Sequence, residues 1–241
     1  SANLTMLEGV TYQSVPMTIR AGKRDFVDDE TLDTHELLDY LAAYNGKSGT
    51  ACPSLDGWLK AFEGADEIFV ITITSSLSGT CASAMAARDV YLQSHPEVKI
   101  HIFDTLSTGP EMQLLAEKLA ELHAKGLPFD VVCEKAQEYL ATTHLFFSLK
   151  SLHNLAQNGR VSKIAAGAIG ILGIQILATA SLEGTIQPVE KCRGEKKTCA
   201  AMVQNLLEAD YHGGKVRIHH AENPEAAGAL DAGPQPSLIA G

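Results

Sequence analysis

Between the apolar run Ile68 to Ile73 (IFVITI) and a helix-like stretch from Cys81 to about Gln93 lies Thr74-Ser75-Ser76-Leu77-Ser78-Gly79-Thr80, a loop dense in hydroxyls. A loop of this kind at a helix start can bind an anion. The first N–H groups of a helix lack intrahelical acceptors and carry a partial positive charge, so a carboxylate or phosphate can settle there, with Ser78 and Thr80 adding hydroxyl contacts. Gly79 lets the anion approach the backbone closely. The competing reading is structural, because Ser and Thr are also favoured helix caps. Ser78 could instead be a nucleophile with His220 as its base, in a serine-dependent hydrolase acting on a lipid-like substrate. That alternative lacks a recognisable third group, and neither a G-x-S-x-G elbow nor a G-x-x-x-x-G-K-[ST] loop occurs in the chain.

Four further constellations stand out, and the second of them, a cationic entrance beside a long apolar surface, is what an amphiphile with an anionic head requires. Thr50-Ala51-Cys52-Pro53-Ser54 is a hydroxyl-bearing turn, read first as the start of the helix that Leu55, Trp58, Leu59 and Phe62 mark by their spacing. Asn158-Gly159-Arg160-Val161-Ser162-Lys163 sets cations directly before the most apolar stretch, Ile164 to Ala180 (IAAGAIGILGIQILATA). On a helix, Gly167, Gly170 and Gly173 would leave a groove for an alkyl chain, although close helix packing uses glycine in the same way. As a membrane span the stretch is shorter than the roughly 20 apolar residues required, and it carries Gln175. His219 and His220 follow the strand-like Lys215 to Ile218, so only one can face a given side; one reads as a carboxylate partner and the other as surface. No Asp, Glu or Cys stands at ligand spacing beside them, so no metal site is expected. Lys191, Arg193, Lys196 and Lys197 read first as a solvated edge, able to steer docking to a phosphate-bearing partner or an anionic membrane.

These side chains need a scaffold, and 241 residues at 45% hydrophobic can bury a core of one large or two small domains. A net charge of −10 opposes nucleic-acid binding. Five scattered cysteines without a C-x-x-C pair point to neither a disulfide framework nor zinc, and fit a reducing cytosol. The opening residues show no basic-then-apolar leader, so secretion is not expected.

Strand-like and helix-like stretches alternate, which implies an α/β fold with a mostly parallel sheet. Val98 to Phe103 reads as a strand, Pro110 to Lys125 as a helix with Met112, Leu115, Leu119 and Leu122 on one face, and His144 to Leu149 as a strand. Asp130 is positioned to cap a helix running to Ala141. A short helix then carries Leu152 and Leu155. Ile176 to Leu182 and Thr185 to Cys192 flank Glu183-Gly184 as a β-hairpin with a two-residue turn. The change of texture places a boundary near 142, giving an N-terminal α/β domain, 1–142, and a C-terminal α/β domain with the hairpin, 143–241.

Taken together, these segments resemble the DegV family. Val15-Pro16-Met17-Thr18 with Phe26-Val27-Asp28 looks like its early segment, and Thr50 to Ser54 resembles its T-S-Q-P-S turn with Ala51 and Cys52 substituted. Thr74 to Thr80 matches its S-S-x-L-S-G-T loop. Leu149 to Lys163 resembles L-x-x-L-x-x-G-R-I-S-K, and the hairpin ends, like the family's, in R-G-x-K-K at Arg193 to Lys197. The resemblance covers roughly residues 1 to 225 and implies a lipid pocket between two domains. It implies that Thr50, Ser78, Gly79 and Thr80 hold a fatty-acid carboxylate, with Arg160 near the head group. His220 lines up best with the family's histidine, His219 being the other choice, and the acyl chain would run along Ile164 to Ile176. The implied function is that of a bacterial, cytoplasmic carrier in phospholipid metabolism. It would bind one long-chain fatty acid, need no cofactor or metal, and present the carboxylate to the ATP-binding subunit of a fatty acid kinase, with transient membrane contact. A third expectation is a regulatory protein holding a structural lipid. The opening Ser1 stands where the family has a strand ending in Asp-Ser, and the tail after Leu230 is short, so residues are expected to be missing at both places. Gln175 replaces the Lys of the family's I-K-P-I stretch.

Overall fold

Alternate residues of one short strand feed two different hydrophobic cores, and this organises the first half of the chain. In a computed structural model, which describes residues 7, 9–161 and 173–231, β4 (Glu67–Thr72) and β5 (Lys99–Asp104) run parallel with Glu67 opposite Lys99 and Thr72 opposite Asp104. Side chains of a strand alternate between faces. Phe69, Ile71 and Phe103 therefore pack with Leu115, Leu119 and Phe129, while Ile68, Val70, Ile100 and Ile102 pack with Trp58, Phe62, Ala84 and Tyr91. The first core lies under α4 (Pro110–Ala124) and α5 (Phe129–Leu140), the second under α2 (Leu55–Phe62) and α3 (Thr80–Tyr91). Helices on both faces are the usual cover of a parallel pair, because the crossover between its strands is itself a helix.

Before this layer come β1 (Thr18–Ala21), β2 (Arg24–Val27) and β3 (Ser48–Ala51), an antiparallel sheet in the order β2-β1-β3, with α1 (Thr34–Ala43) between β2 and β3. Asp33 caps α1 by accepting from the Glu36 N–H at 3.0 Å, and Ser54 caps α2 by accepting from the Gly57 N–H at 3.1 Å. Ser54 thus acts as the helix start that its spacing implied. Asp130 does not cap α5. Pro128 is the cap residue, without a side-chain bond, and Asp130 sits inside the first turn.

The remaining sheet is antiparallel, order β6-β7-β8, from β6 (Phe146–Leu149), β7 (Ile174–Ala180) and β8 (Ile186–Arg193). Ile176 and Ala178 of β7 bury one face with Leu152, against Phe147, Leu149 and Leu155; α6 (His153–Gln157) supplies the last of these. α7 (Glu195–Glu208) packs against the same sheet, and α8 (Pro224–Asp231) packs on α7. The hairpin turn is wider than two residues. Ser181 N–H donates to Thr185 O at 2.9 Å and Gly184 N–H to Ser181 O at 2.9 Å, with Gly184 at φ +74°, the usual three-residue loop closed by a left-handed glycine.

Lys215 to Ile218 lies in irregular backbone, not a strand. The alternation that suggested a strand serves ion pairs instead. Arg217 donates to both carboxylate oxygens of Glu117 on α4, at 2.7 and 2.6 Å, and Lys215 binds Glu121 one turn on. No helix among the described residues is long and apolar enough to cross a membrane. Within the stretch weighed as a span, residues 174–180 form β7, and residues 162–172 lie outside the described residues.

Candidate functional site

A parallel pair directs the loops after its strands to one edge, and here those loops are laced together. At the end of β4, Thr72 Oγ1 donates to Phe103 O at 3.2 Å, and Thr105 Oγ1 returns a bond to Thr72 O at 2.8 Å. Thr74 N–H donates to Ser107 O at 2.8 Å. One oxygen of Asp104 accepts from the Ser75 N–H at 3.0 Å and from the Leu106 N–H at 3.2 Å, so a single carboxylate pins the loop after β4 to the loop after β5. Leu106 is held at φ +51°, a conformation that costs a leucine energy and persists only where its surroundings enforce it.

The hydroxyl-rich loop rests on this base. Ser78 N–H donates to Thr74 O at 3.2 Å, and Ser78 Oγ lies 2.8 Å from Thr80 Oγ1 while accepting from the Thr80 N–H at 3.2 Å. Gly79 is the cap residue of α3 and makes no side-chain cap bond. The helix therefore opens with backbone donors and two adjacent hydroxyls, Ser78 half-buried, Gly79 exposed and Thr80 buried. An arrangement of this kind can cradle an anion, in geometry and in sign of charge.

Segments far apart in sequence converge on the cradle. Arg160 donates from Nε to Leu77 O at 3.3 Å and from Nη1 to Asn158 O at 3.2 Å, which sets its half-buried guanidinium against the loop. Asn158 also donates to Ser48 O at 2.8 Å, tying the end of α6 to β3. Thr50, in β3 opposite Ile19 and exposed, lies two residues before Cys52, whose Sγ would be 3.7 Å from a Cβ placed on Gly79. The β7–β8 turn closes the other side. Thr74 Oγ1 donates to Gly184 O at 2.8 Å, and Ser76 Oγ donates to Glu183 O.

The histidines part company. His219 Nε2 lies 2.7 Å from Gln113 Oε1, and its Nδ1 is 3.6 Å from where a Cβ on Gly109 would stand, so the ring rests on the first turn of α4. Partial desolvation against that turn pushes the imidazole below its usual range, although the residue remains exposed. His220 is exposed and accepts from the Asn223 N–H at 3.3 Å, beside the start of α8; no bond among the described residues joins it to Ser78. Ile176 is 2% exposed within the third core, and Ile164 lies outside the described residues. Sequence reasoning passed over Asp104, Leu106 and Glu111. The last is buried on α4 and accepts from the hydroxyls of Ser107 and Thr143. A carboxylate closing β5, directly after Ile102 and Phe103, was the available signal for Asp104.

Cys81, one residue into α3, is buried, and burial pushes its thiol up, so it is no thiolate despite the helix start. No group of three or more His, Cys, Asp or Glu among the described residues could hold a metal.

The family model described as uncharacterised protein, DegV family, matches residues 2–233. This chain belongs to the DegV family. A DegV domain-containing protein of Streptococcus pneumoniae is 41% identical over 220 residues, covering 91% of this chain and 78% of its own. A DegV family protein from Eubacterium eligens, solved loaded with heptadecanoic acid, superposes with a TM-score of 0.93 at 46% identity, over 95% of this chain and 83% of its own. The Streptococcus pneumoniae fatty acid kinase B3 protein, solved loaded with linoleic acid, superposes with a TM-score of 0.91 at 40% identity, over 95% and 82%. The α/β DegV fold, with its parallel pair and its antiparallel hairpin sheet, is thereby shown for this chain.

Proposed function

We propose that this chain encloses one long-chain fatty acid and presents its carboxylate to a separate ATP-dependent fatty acid kinase. The observation that carries the reading is the hydroxyl-bearing start of α3, Ser78-Gly79-Thr80, facing a half-buried Arg160 in a fold whose relatives hold fatty acids. Thr50 and one of the two histidines complete the head-group site in this proposal, and Ile164 to Ile176 line the acyl chain between domains 1–142 and 143–241. Apolar burial at about 0.8 kcal/mol per CH₂ supplies most of the affinity, roughly 8 kcal/mol or more for a long chain before ordering costs.

The bound acid is the ligand, and the carrier itself needs no cofactor. A carboxylate oxygen attacks the γ-phosphorus of ATP, the bond to the ADP oxygen breaks, and an acyl phosphate and ADP result. The metal and phosphate chemistry of that step belongs to the partner. The carrier works in the cytoplasm, and the basic run Lys191, Arg193, Lys196 and Lys197 favours transient contact with an anionic membrane. A serine hydrolase gains no support from Ser78, whose partner is the Thr80 hydroxyl and not an imidazole. The test is to load the protein with oleate, add the kinase subunit and ATP, and trap acyl phosphate with hydroxylamine. Hydroxamate that depends on the carrier supports the reading, and covalent labelling of Ser78 by a fluorophosphonate would overturn it.

A further inference from the structure

The tip of the β7–β8 hairpin carries an apolar side chain that the fold does not use. Leu182 is 91% exposed, whereas the other exposed large apolar side chains among the described residues lie between 38% and 46%. The turn does not ask for leucine, since the second position of such a turn accepts most residues and favours proline. Nor is the tip loose. Ser181 Oγ accepts from the N–H groups of Glu183 at 3.2 Å and Thr185 at 3.1 Å, and the Thr74 to Gly184 and Ser76 to Glu183 bonds clamp the turn onto the hydroxyl-rich loop. Leu182 is therefore held in a fixed place, with little backbone entropy left to lose on being covered. Leu106, 39% exposed, flanks the same junction, its Cα 3.0 Å from where a Cβ on Gly184 would stand.

We propose that Leu182, with Leu106 beside it, is the apolar anchor on which the ATP-bearing kinase subunit docks to reach the carboxylate. This rests on the carrier reading. Phosphoryl transfer needs the reacting atoms about 3–3.5 Å apart, so the partner must cover the rim of the cradle. A stable interface buries about 800 Å² on each side, a disc about 16 Å in radius, and Ser76, which holds the hairpin tip, is two residues from Ser78. The tip falls inside that disc. A rigid, fully exposed leucine at this place fits an apolar pocket of the enzyme that must come to it.

The test compares wild type with Leu182→Ser and Leu182→Asp in the full chain. Oleate loading is read by native mass spectrometry, and acyl-phosphate formation is followed while the loaded carrier is titrated against the kinase subunit and ATP. Loading and the rate at saturating carrier should be unchanged, while the KM for carrier rises about tenfold or more for Ser, and further for Asp. An unchanged KM in both variants overturns the proposal. So does an unchanged KM combined with slower uptake of oleate from phosphatidylglycerol vesicles, which would assign the leucine to a membrane. Wild-type protein that takes up no oleate fails the carrier reading itself, and docking with it.

Discussion

Replacing Gly184 by Ala should unfasten the hairpin from the hydroxyl-rich loop, and the structure gives the size of the effect. Gly184 stands at φ +74°, where a residue with a Cβ loses about 1–2 kcal/mol. The new methyl would fall on Thr74 Oγ1 and lie 3.0 Å from Leu106 Cα and 3.1 Å from Leu106 O. Thr74 must then give up its 2.8 Å bond to Gly184 O, about 1 kcal/mol, because Leu106 is backbone and cannot yield. The expected loss is about 2–3 kcal/mol of unfolding free energy by urea titration, or roughly 5–10 °C in Tm for a chain of this size. Fatty-acid affinity should fall with it. Thr74→Ala in the Gly184→Ala background should cost less than Thr74→Ala alone, since the clash and the bond share one oxygen. A Gly184→Ala variant within 0.5 kcal/mol of wild type, or strict additivity of the pair, would refute the contact.

Ser78→Ala should weaken binding of a fluorescent fatty acid by about 10- to 100-fold, the worth of one hydrogen bond to a charged group, while leaving the methyl ester's affinity unaltered. Equal losses for acid and ester would place Ser78 away from the head group. Burial disfavours the charged form of Glu117, but the paired guanidinium of Arg217 holds its carboxyl below the usual range. That stability is present above the ordinary carboxylate pKa and lost as pH falls through the folded value, so Glu117→Gln should cost about 1 kcal/mol at neutral pH and flatten the acid limb of the stability curve. His219, exposed but partly desolvated on α4 and so pushed down, contributes stability that is present above its unfolded pKa and lost as pH drops through the folded one. His219→Gln should remove that acid sensitivity in thermal melts recorded between neutral and mildly acidic pH.

How much of this the sequence disclosed follows from the range of each interaction. The strands β4 and β5 and the helices after them were legible because four apolar residues in a row at Ile68 to Ile71, or apolar residues alternating with Lys99 and His101, then a polar loop, then helical spacing, are local patterns. The Ser54 cap was legible for the same reason. β1, β2 and β3 are four residues each, too short for a period to show, and β1 pairs with the distant β3, Thr18 opposite Ala51 and Ala21 opposite Ser48, with α1 in between. Thr74 and Gly184 are 110 residues apart, so the clamp between loop and hairpin left no local trace. Lys215 to Ile218 misled because alternating side chains that meet an acidic helix face look the same, in one dimension, as a strand. The residues proposed for the head group are weak signals singly, and it is their order along the chain that resembles the family. Asn158, Arg160 and Cys52 then meet the hydroxyl-rich loop and β3 in three dimensions.

The most direct measurement is native mass spectrometry of the purified protein, followed by denaturing extraction and identification of what is released. One long-chain fatty acid per chain, exchanging with added labelled acid, is the predicted result. Protein that arrives empty and takes up no added fatty acid would contradict the account.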